Sequence, residues 1–421
     1  MSSTSPRSGP TVPAGRGTDS PGLYVGRAAA GLAAAMGVGR FAFTPILPLM
    51  HTQAGLTASA GANLASANYI GYLVGALAGI LVPALTRSPS VMRGSLVVLT
   101  FTLAAMPTTQ AVPVWAGLRL LAGAASALVF VIAVTALLSN LRAHPPSLIG
   151  WGFGGVGAGI ALSGLLVLTL RHAGDWRTAW WGTAVLAALL SAAAWSLSPK
   201  ISQAPTAAPP KTGRATTSPE NRRWFGALFA SYSLEGIGYI IAGTFLVAAI
   251  EQTSPGWIGS GAWVLVGLAA IPSSALWARW SRRWPRPDLL FAALLVQAVG
   301  ISLPALLGGV AAALVSAVLF GGTFLGVSTI ALATGEHLQF PRSIALLTAG
   351  YSVGQILGPL VAAPLLRHGY HQALLMAAAV VLAAAMAAAV LRIGFPRQLP
   401  ASTRLAGPAD RPPAGARTPH R

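Results

Sequence analysis

The sequence predicts an all-α polytopic membrane protein with about twelve transmembrane helices, and three observations lead there. Charge is scarce: 8% of the residues are charged and 54% are hydrophobic, where a soluble domain carries about a quarter charged residues. Apolar stretches of ~17–28 residues recur about twelve times, each able to cross a ~30 Å hydrocarbon layer at ~1.5 Å per residue. The basic residues gather in alternate connections between these stretches. No water reaches the bilayer core, so backbone polar groups must be satisfied within each segment, and spans this long are helices rather than barrel strands.

In chain order, the first span is expected near 27–50, where "GVGRFAFTPILPLM" places Arg40 beside Pro45 and Pro48. A polar stretch precedes it and eleven further spans follow, so it does not read as a cleaved signal peptide. The second, near 61–85, contains "ASANYIGYLVGAL", and the third lies near 93–109. The fourth, near 112–139, carries Arg119; the fifth, near 147–170, carries seven glycines; the sixth is near 177–198. Residues 199–223 interrupt the array with prolines, small polar residues and five basic residues, which is the composition of a flexible linker. Six more spans are expected near 224–251, 257–280, 288–306, 308–335, 344–366 and 371–393. The segments 1–26 and 394–421 read as disordered tails.

The net charge of +19 would suggest nucleic acid in a soluble domain. Here 22 of the 27 Lys and Arg fall in the two tails, the linker and alternate loops, while the opposite loops hold only Arg171, Arg177 and Arg367. That asymmetry predicts a multi-pass cell-membrane protein with both termini in the cytoplasm. It also argues for contact with lipid and against a nucleic-acid partner. Cysteine is absent, which excludes disulfides and thiolate chemistry.

The two sets of six spans resemble each other. "GVGRFAFTPIL" from Gly37 aligns with "GIGYIIAGTFL" from Gly236, pairing Gly37 with Gly236, Gly39 with Gly238 and Leu47 with Leu246. "RAHPPSLIGWGFGG" from Arg142 aligns with "RSIALLTAGYSVGQ" from Arg342, and "LRHAG" with "LRHGY". The domains expected are therefore an N-terminal six-helix half, 27–198, the linker, and a C-terminal six-helix half, 224–393. Parallel repeats of this kind place a substrate site at their interface near the bilayer midplane.

With its six-plus-six layout and basic central loop, the chain resembles the major facilitator superfamily. "RLLAGAASA" is similar to that superfamily's R-x-x-x-G element, carried by Arg119 and Gly123, and "GWGFGGVGAG" and "GYSVGQILGP" are similar to its glycine-rich fifth and eleventh helices. The loop "PALTRSPSVMRG" lacks the usual acid between the second and third helices. "GVGRFAFTPILPLM", "ASANYIGYLVGAL" and "LEGIGYIIAGTFL" resemble the YbfB/YjiJ-type branch more narrowly. The resemblance implies a monomeric transporter of a small solute, working by alternating access with helices 1, 4, 7 and 10 lining its cavity.

Candidate site residues are those whose burial in a bilayer is costly. A charge at mid-helix costs about 2.5–3.5 kcal/mol, so Arg40 needs a partner or water. Glu235 is the one carboxylate clearly inside a span. At the helical rise the two lie about 20 and 17 Å from the starts of their helices, so a direct pair, or two charges across one aqueous site, are both open. Tyr232, Glu235 and Tyr239 share one helix face, as do Asn68 with Tyr72 and Tyr351 with Gln355. These residues and Arg119 form the expected substrate site, with Arg119 alternatively holding helix one. Glu235 is the candidate proton carrier, since a buried acid's proton affinity changes as its surroundings open. Gly150, Gly154 and Gly157, with Gly354, Gly358 and Pro359, are expected to let helices pack closely and slide.

Enzyme motifs fail in context. Gly152, Gly154 and Gly157 spell a dinucleotide fingerprint without a preceding strand. Ser352 sits in a hydrolase-like Gly-x-Ser-x-Gly inside a helix, and the seven histidines lie in tails, loops or helix ends, leaving it no base. No catalytic residue, metal or cofactor is expected, and no nucleotide-binding motif supplies ATP as an energy source. A transporter-like sensor without transport and an uncoupled facilitator are the alternatives.

Overall fold

The computed structural model describes residues 20–141, 144, 146–171, 174–198, 219–254 and 256–395. Arg142, both expected tails up to 19 and from 396, and linker residues 199–218 lie outside the described residues. Twelve long helical rods and no strand occur among them: α1 Pro21–Gln53, α2 Ala58–Leu81, α3 Pro89–Ala105, α4 Val112–Asn140, α5 Pro146–Leu170, α6 Trp176–Ala194, α7 Pro219–Thr253, α8 Gly256–Trp280, α9 Arg286–Leu306, α10 Gly309–His337, α11 Ser343–Ala362 and α12 Tyr370–Leu391.

Eleven rods are long and apolar enough to cross a membrane. The other, α6, has Trp, Arg177 and Thr178 in its first turn, so its purely apolar run is shorter, yet it packs against α1 and α3 as the sixth rod. Two boundaries differ from expectation. α1 begins at Pro21, initiated by Ser20, whose side chain accepts from the Leu23 amide. Pro219–Arg223, expected in the linker, form the first turn of α7, where Pro at N1 needs no amide partner and Glu220 faces the positive helix end.

Thr57, Ser88 and Asp175 cap α2, α3 and α6 by accepting backbone N–H groups that helix starts leave unpaired. Outward faces carry side chains such as Phe101, Leu189 and Met386, at 67%, 65% and 61% exposure, which only a lipid surroundings explains at this density.

Two layers of contact set the shape of the interior. On one face the described chain ends and the linker ends gather: the Tyr24 hydroxyl donates to the Ser198 carbonyl at 2.8 Å and the Trp224 indole to the Ile393 carbonyl at 3.2 Å. We call this the terminal face. Toward the opposite face the two sets of six rods are bolted together. Thr44 donates to the Gly243 carbonyl at 2.5 Å, the Tyr69 and Thr244 hydroxyls are 3.1 Å apart, and Arg171 pairs with Glu251 at 3.3 Å. Residues 38–48 of α1 and 238–250 of α7 are buried throughout.

Glycine makes the close crossings possible. A β-carbon on Gly157 would lie 2.6 Å from the Gly267 carbonyl oxygen and one on Gly154 2.9 Å from that of Ile271, so α5 and α8 meet across the two sets of rods nearly backbone to backbone. Gly354 and Gly358 instead approach Ser233 and Ile237 of α7, inside their own set. Pro359 is buried within α11.

Gly71 is the tightest case, its added β-carbon falling 1.9 Å from the Leu120 carbonyl oxygen. Gly71→Val is expected to lower the melting temperature in detergent at a cost of about 3 kcal/mol or more. Gly94→Ala, whose added carbon meets nothing within 4 Å inside a helix, should leave it unchanged or raise it slightly.

Candidate functional site: a cavity walled by Arg40 and aromatic rings

The site begins with a break in α1. After Leu32 the helix widens into a π-helical stretch, Ala33–Val38, turns through 39–42 and resumes at Phe43. Widening shifts the hydrogen bonds, with the Gly39 amide donating to Ala34 at 2.8 Å and the Phe41 amide to Met36 at 3.2 Å. Pro45 then lacks an amide to continue the ladder. Two carbonyls left over, those of Gly39 and Arg40, accept from Arg119 Nη1 and Nη2, each at 3.1 Å. Arg119 is 1% exposed, its guanidinium lies 4.9 Å from the Phe43 ring, and Asn68 donates to its carbonyl at 2.9 Å.

The break aims Arg40 inward. Its guanidinium lies 4.6, 4.8 and 5.3 Å from the ring centres of Tyr72, Tyr69 and Phe41, a cation held by aromatic faces. Arg40 is 2% exposed, and its Nε and Nη2 have no hydrogen-bond partner. It borders a cavity of about 390 Å³ between the two sets of rods, walled by side chains of α1, α2, α4, α5, α7, α8, α10 and α11. Tyr232 and Tyr351 stack at 4.3 Å along one side, and Tyr239 continues the stack to Phe324 at 5.8 Å. Gln355 donates to the Tyr239 hydroxyl at 3.1 Å. Toward the terminal face the wall becomes half-exposed at Val134, Thr329, Leu332 and Thr348; toward the other face the bolted layer closes it.

Glu235 lies behind this wall. It is fully buried, accepts from Gln297 of α9 at 3.2 Å, and its Oε2 has no hydrogen-bond partner. Its cavity-side neighbour is Tyr351. Arg40 and Glu235 form no ion pair; the described pairs are Arg171 with Glu251 and Arg392 with Asp288.

From residue 32 to 390 the chain matches the model of the family described as uncharacterised MFS-type transporter YbfB. The chain belongs to this family. It is an MFS transporter by that membership, and its all-α polytopic fold agrees. No curated protein sequence matches it. Among solved structures it is similar to the nucleoside transporter NupG, at 16% identity and a TM-score of 0.64 over 89% of this chain and 99% of that one. A mutant form of NupG gives 16% identity and 0.66 over 88% and 99%. That likeness is one of fold.

Of the residues expected in this transporter's site, Arg40, Tyr72, Tyr232, Tyr239, Tyr351 and Gln355 border the cavity. Asn68 and Arg119 do not: they are turned into the α1–α2–α4 contact, because the α1 break offers Arg119 acceptors that an intact helix withholds. Glu235 stands one ring back. Two polar neighbours were missed. Gln297 is a lone amide in an otherwise apolar stretch, a signal that was present; Tyr69 adjoins Asn68, but only the fold brings its ring over Arg40.

The two arginines therefore differ in what they contribute to stability. Arg119→Gln strips two charge-assisted hydrogen bonds from buried carbonyls and is expected to cost about 3 kcal/mol or more, read as a lower melting temperature. Arg40→Gln removes a buried charge with unmade bonds and is expected to melt at or above wild type.

Proposed function

We propose that the chain is a secondary active transporter of a small solute, working by alternating access as 27–198 rocks against 224–393, with Arg40 holding the solute and Glu235 carrying a coupled proton. The observation that carries this reading is Arg40: a buried cation with two unused donors, bordering a cavity between the two sets of rods. Leaving a buried charge unpaired costs several kcal/mol, which a protein tolerates where a ligand completes the site. The likeness in fold to NupG, a nucleoside transporter, supports a solute-carrying role.

The positive-inside asymmetry supports placing the terminal face in the cytoplasm of a cell membrane. The bolted layer is then external, and the cavity opens inward. The opposite state requires the α1–α7 contacts and the Arg171–Glu251 pair to part while α5 and α8, α2 and α11 slide. Glycine at the α5–α8 crossing removes α5 side chains at Gly150, Gly154 and Gly157 that would otherwise interlock with α8 and oppose that movement. Glu235, buried behind Tyr351, exchanges its proton only when the wall loosens, which links protonation to the opening of one side. The reading includes neither a catalytic residue nor a cofactor, and it leaves the protein monomeric.

The absence of cysteine allows clean spin labelling. Label pairs at 169 and 253, exposed positions that leave the Arg171–Glu251 pair intact, and at 139 and 339 should each give two distance populations that change in opposite senses when pH is lowered. Glu235→Gln should make their balance independent of pH. Single, unchanging distances for both pairs would rule out alternating access, and a pH response surviving in Glu235→Gln would remove Glu235 as the carrier.

A further inference from the structure

We infer that the solute is an aromatic organic carboxylate, bound with its carboxylate on the Nε–Nη2 edge of Arg40 and its ring against the Tyr232–Tyr239–Tyr351 stack. The inference deepens the transporter reading and rests on it.

Charge comes first. Among the described residues Arg40 is the one ionic side chain on the cavity wall; Glu235 is fully buried outside that lining, next to Tyr351. A cationic solute would meet like charge without compensation, and a zwitterion would bury an unpaired ammonium. An anion neutralises the site.

The geometry of the unused donors then selects among anions. Nε and Nη2 are the two nitrogens on one edge of the guanidinium, whose parallel N–H bonds match the two oxygens of a carboxylate. Both nitrogens are closed off in this state, while the Arg40 side chain borders the cavity. Tyr72, which packs on the guanidinium at 4.6 Å and also borders the cavity, is the side chain that turns aside to admit the ligand.

Size and shape complete the assignment. A cavity of about 390 Å³ corresponds to about thirteen water volumes at ~30 Å³ each, or roughly a dozen non-hydrogen atoms. The wall it offers is aromatic: Tyr232, Tyr239 and Tyr351 stack on one another with interplanar angles of 16° and 14°, and with Phe41, Phe130, Phe153 and Phe324 they line a chamber in which a further aromatic ring packs edge-to-face or offset. A sugar would find too few polar groups for its hydroxyls.

The test is binding to the full-length protein in detergent, by thermal shift and calorimetry. Phenylacetate, benzoate and indoleacetate are the candidate ligands, with phenylacetamide, phenethylamine, cyclohexylacetate and uridine as comparators. The aromatic carboxylates should stabilise wild type, and their affinity should fall about ten- to hundredfold in Arg40→Gln, the loss expected for one or two charge-assisted hydrogen bonds. Arg40→Lys, which keeps the charge and loses the fork, should fall in between. The unliganded melting temperature of each variant establishes that it is folded.

Stabilisation by uridine or phenethylamine in preference to the carboxylates would overturn the inference. So would binding undiminished in Arg40→Gln, equal binding of cyclohexylacetate, or no shift with any of the three carboxylates. Undiminished binding in Arg40→Gln would also remove Arg40 as the residue that holds the solute; alternating-access transport itself stands in every case, because it fails separately, through unchanging spin-label distances.

Discussion

Two hydrogen bonds from Arg119 to the carbonyls of Gly39 and Arg40 satisfy the gap in α1, and that gap sets how Arg40 meets the cavity. An unbroken helix would consume both acceptors, carry its side chains around at regular 100° steps, and present Arg40 at a different angle. The π-helical widening, the proline that follows and the arginine from α4 form one device. The helix gives up part of its own ladder, and a neighbouring side chain replaces what is lost. In a bilayer this replacement is obligatory, since no water is available to do it.

From that device the division of labour between two buried arginines follows. Both are nearly inaccessible, and both rest on aromatic rings. Arg119 gives both Nη groups to backbone carbonyls and leaves only Nε unpartnered, which ties it to the scaffold; Arg40 leaves Nε and Nη2 unpartnered at a cavity edge. Burial alone does not distinguish them, nor does charge. The state of their hydrogen bonds does: Arg119 is tied to the backbone through both Nη groups and Arg40 is not.

The extent to which this was readable beforehand follows the same line. Spans were legible because a membrane imposes length and hydrophobicity on each of them, so their placement agrees with the helices to within several residues. Arg40 and Glu235 were legible because charge inside a span is expensive. The sequence leaves Arg119 two roles because its partners are backbone carbonyls, which every residue possesses and no residue type announces. Tyr69 and Gln297 were missed for a related reason: cross-helix register, not helix-face spacing, brings the first to Arg40 and the second to Glu235. The glycines of α5 and α11 look alike in the sequence, yet α5 crosses between the two sets of rods while α11 packs these glycines within its own, a difference that only the arrangement of helices decides.

Arg40 and Tyr239 occupy equivalent positions in the aligned segments beginning at Gly37 and Gly236. The duplicated frame has thus been filled asymmetrically, with a cation on one side and a phenol ring on the other, both bordering one cavity. A molecule lying between them is oriented: its two ends meet different chemistries, each belonging to a different half of the chain. Something that satisfies only one end is held by one half and leaves the other indifferent. Under the proposed transport mechanism, selection and mechanical coupling become a single requirement, because a passenger would draw the halves together only if it is bipolar in the sense that the two positions demand.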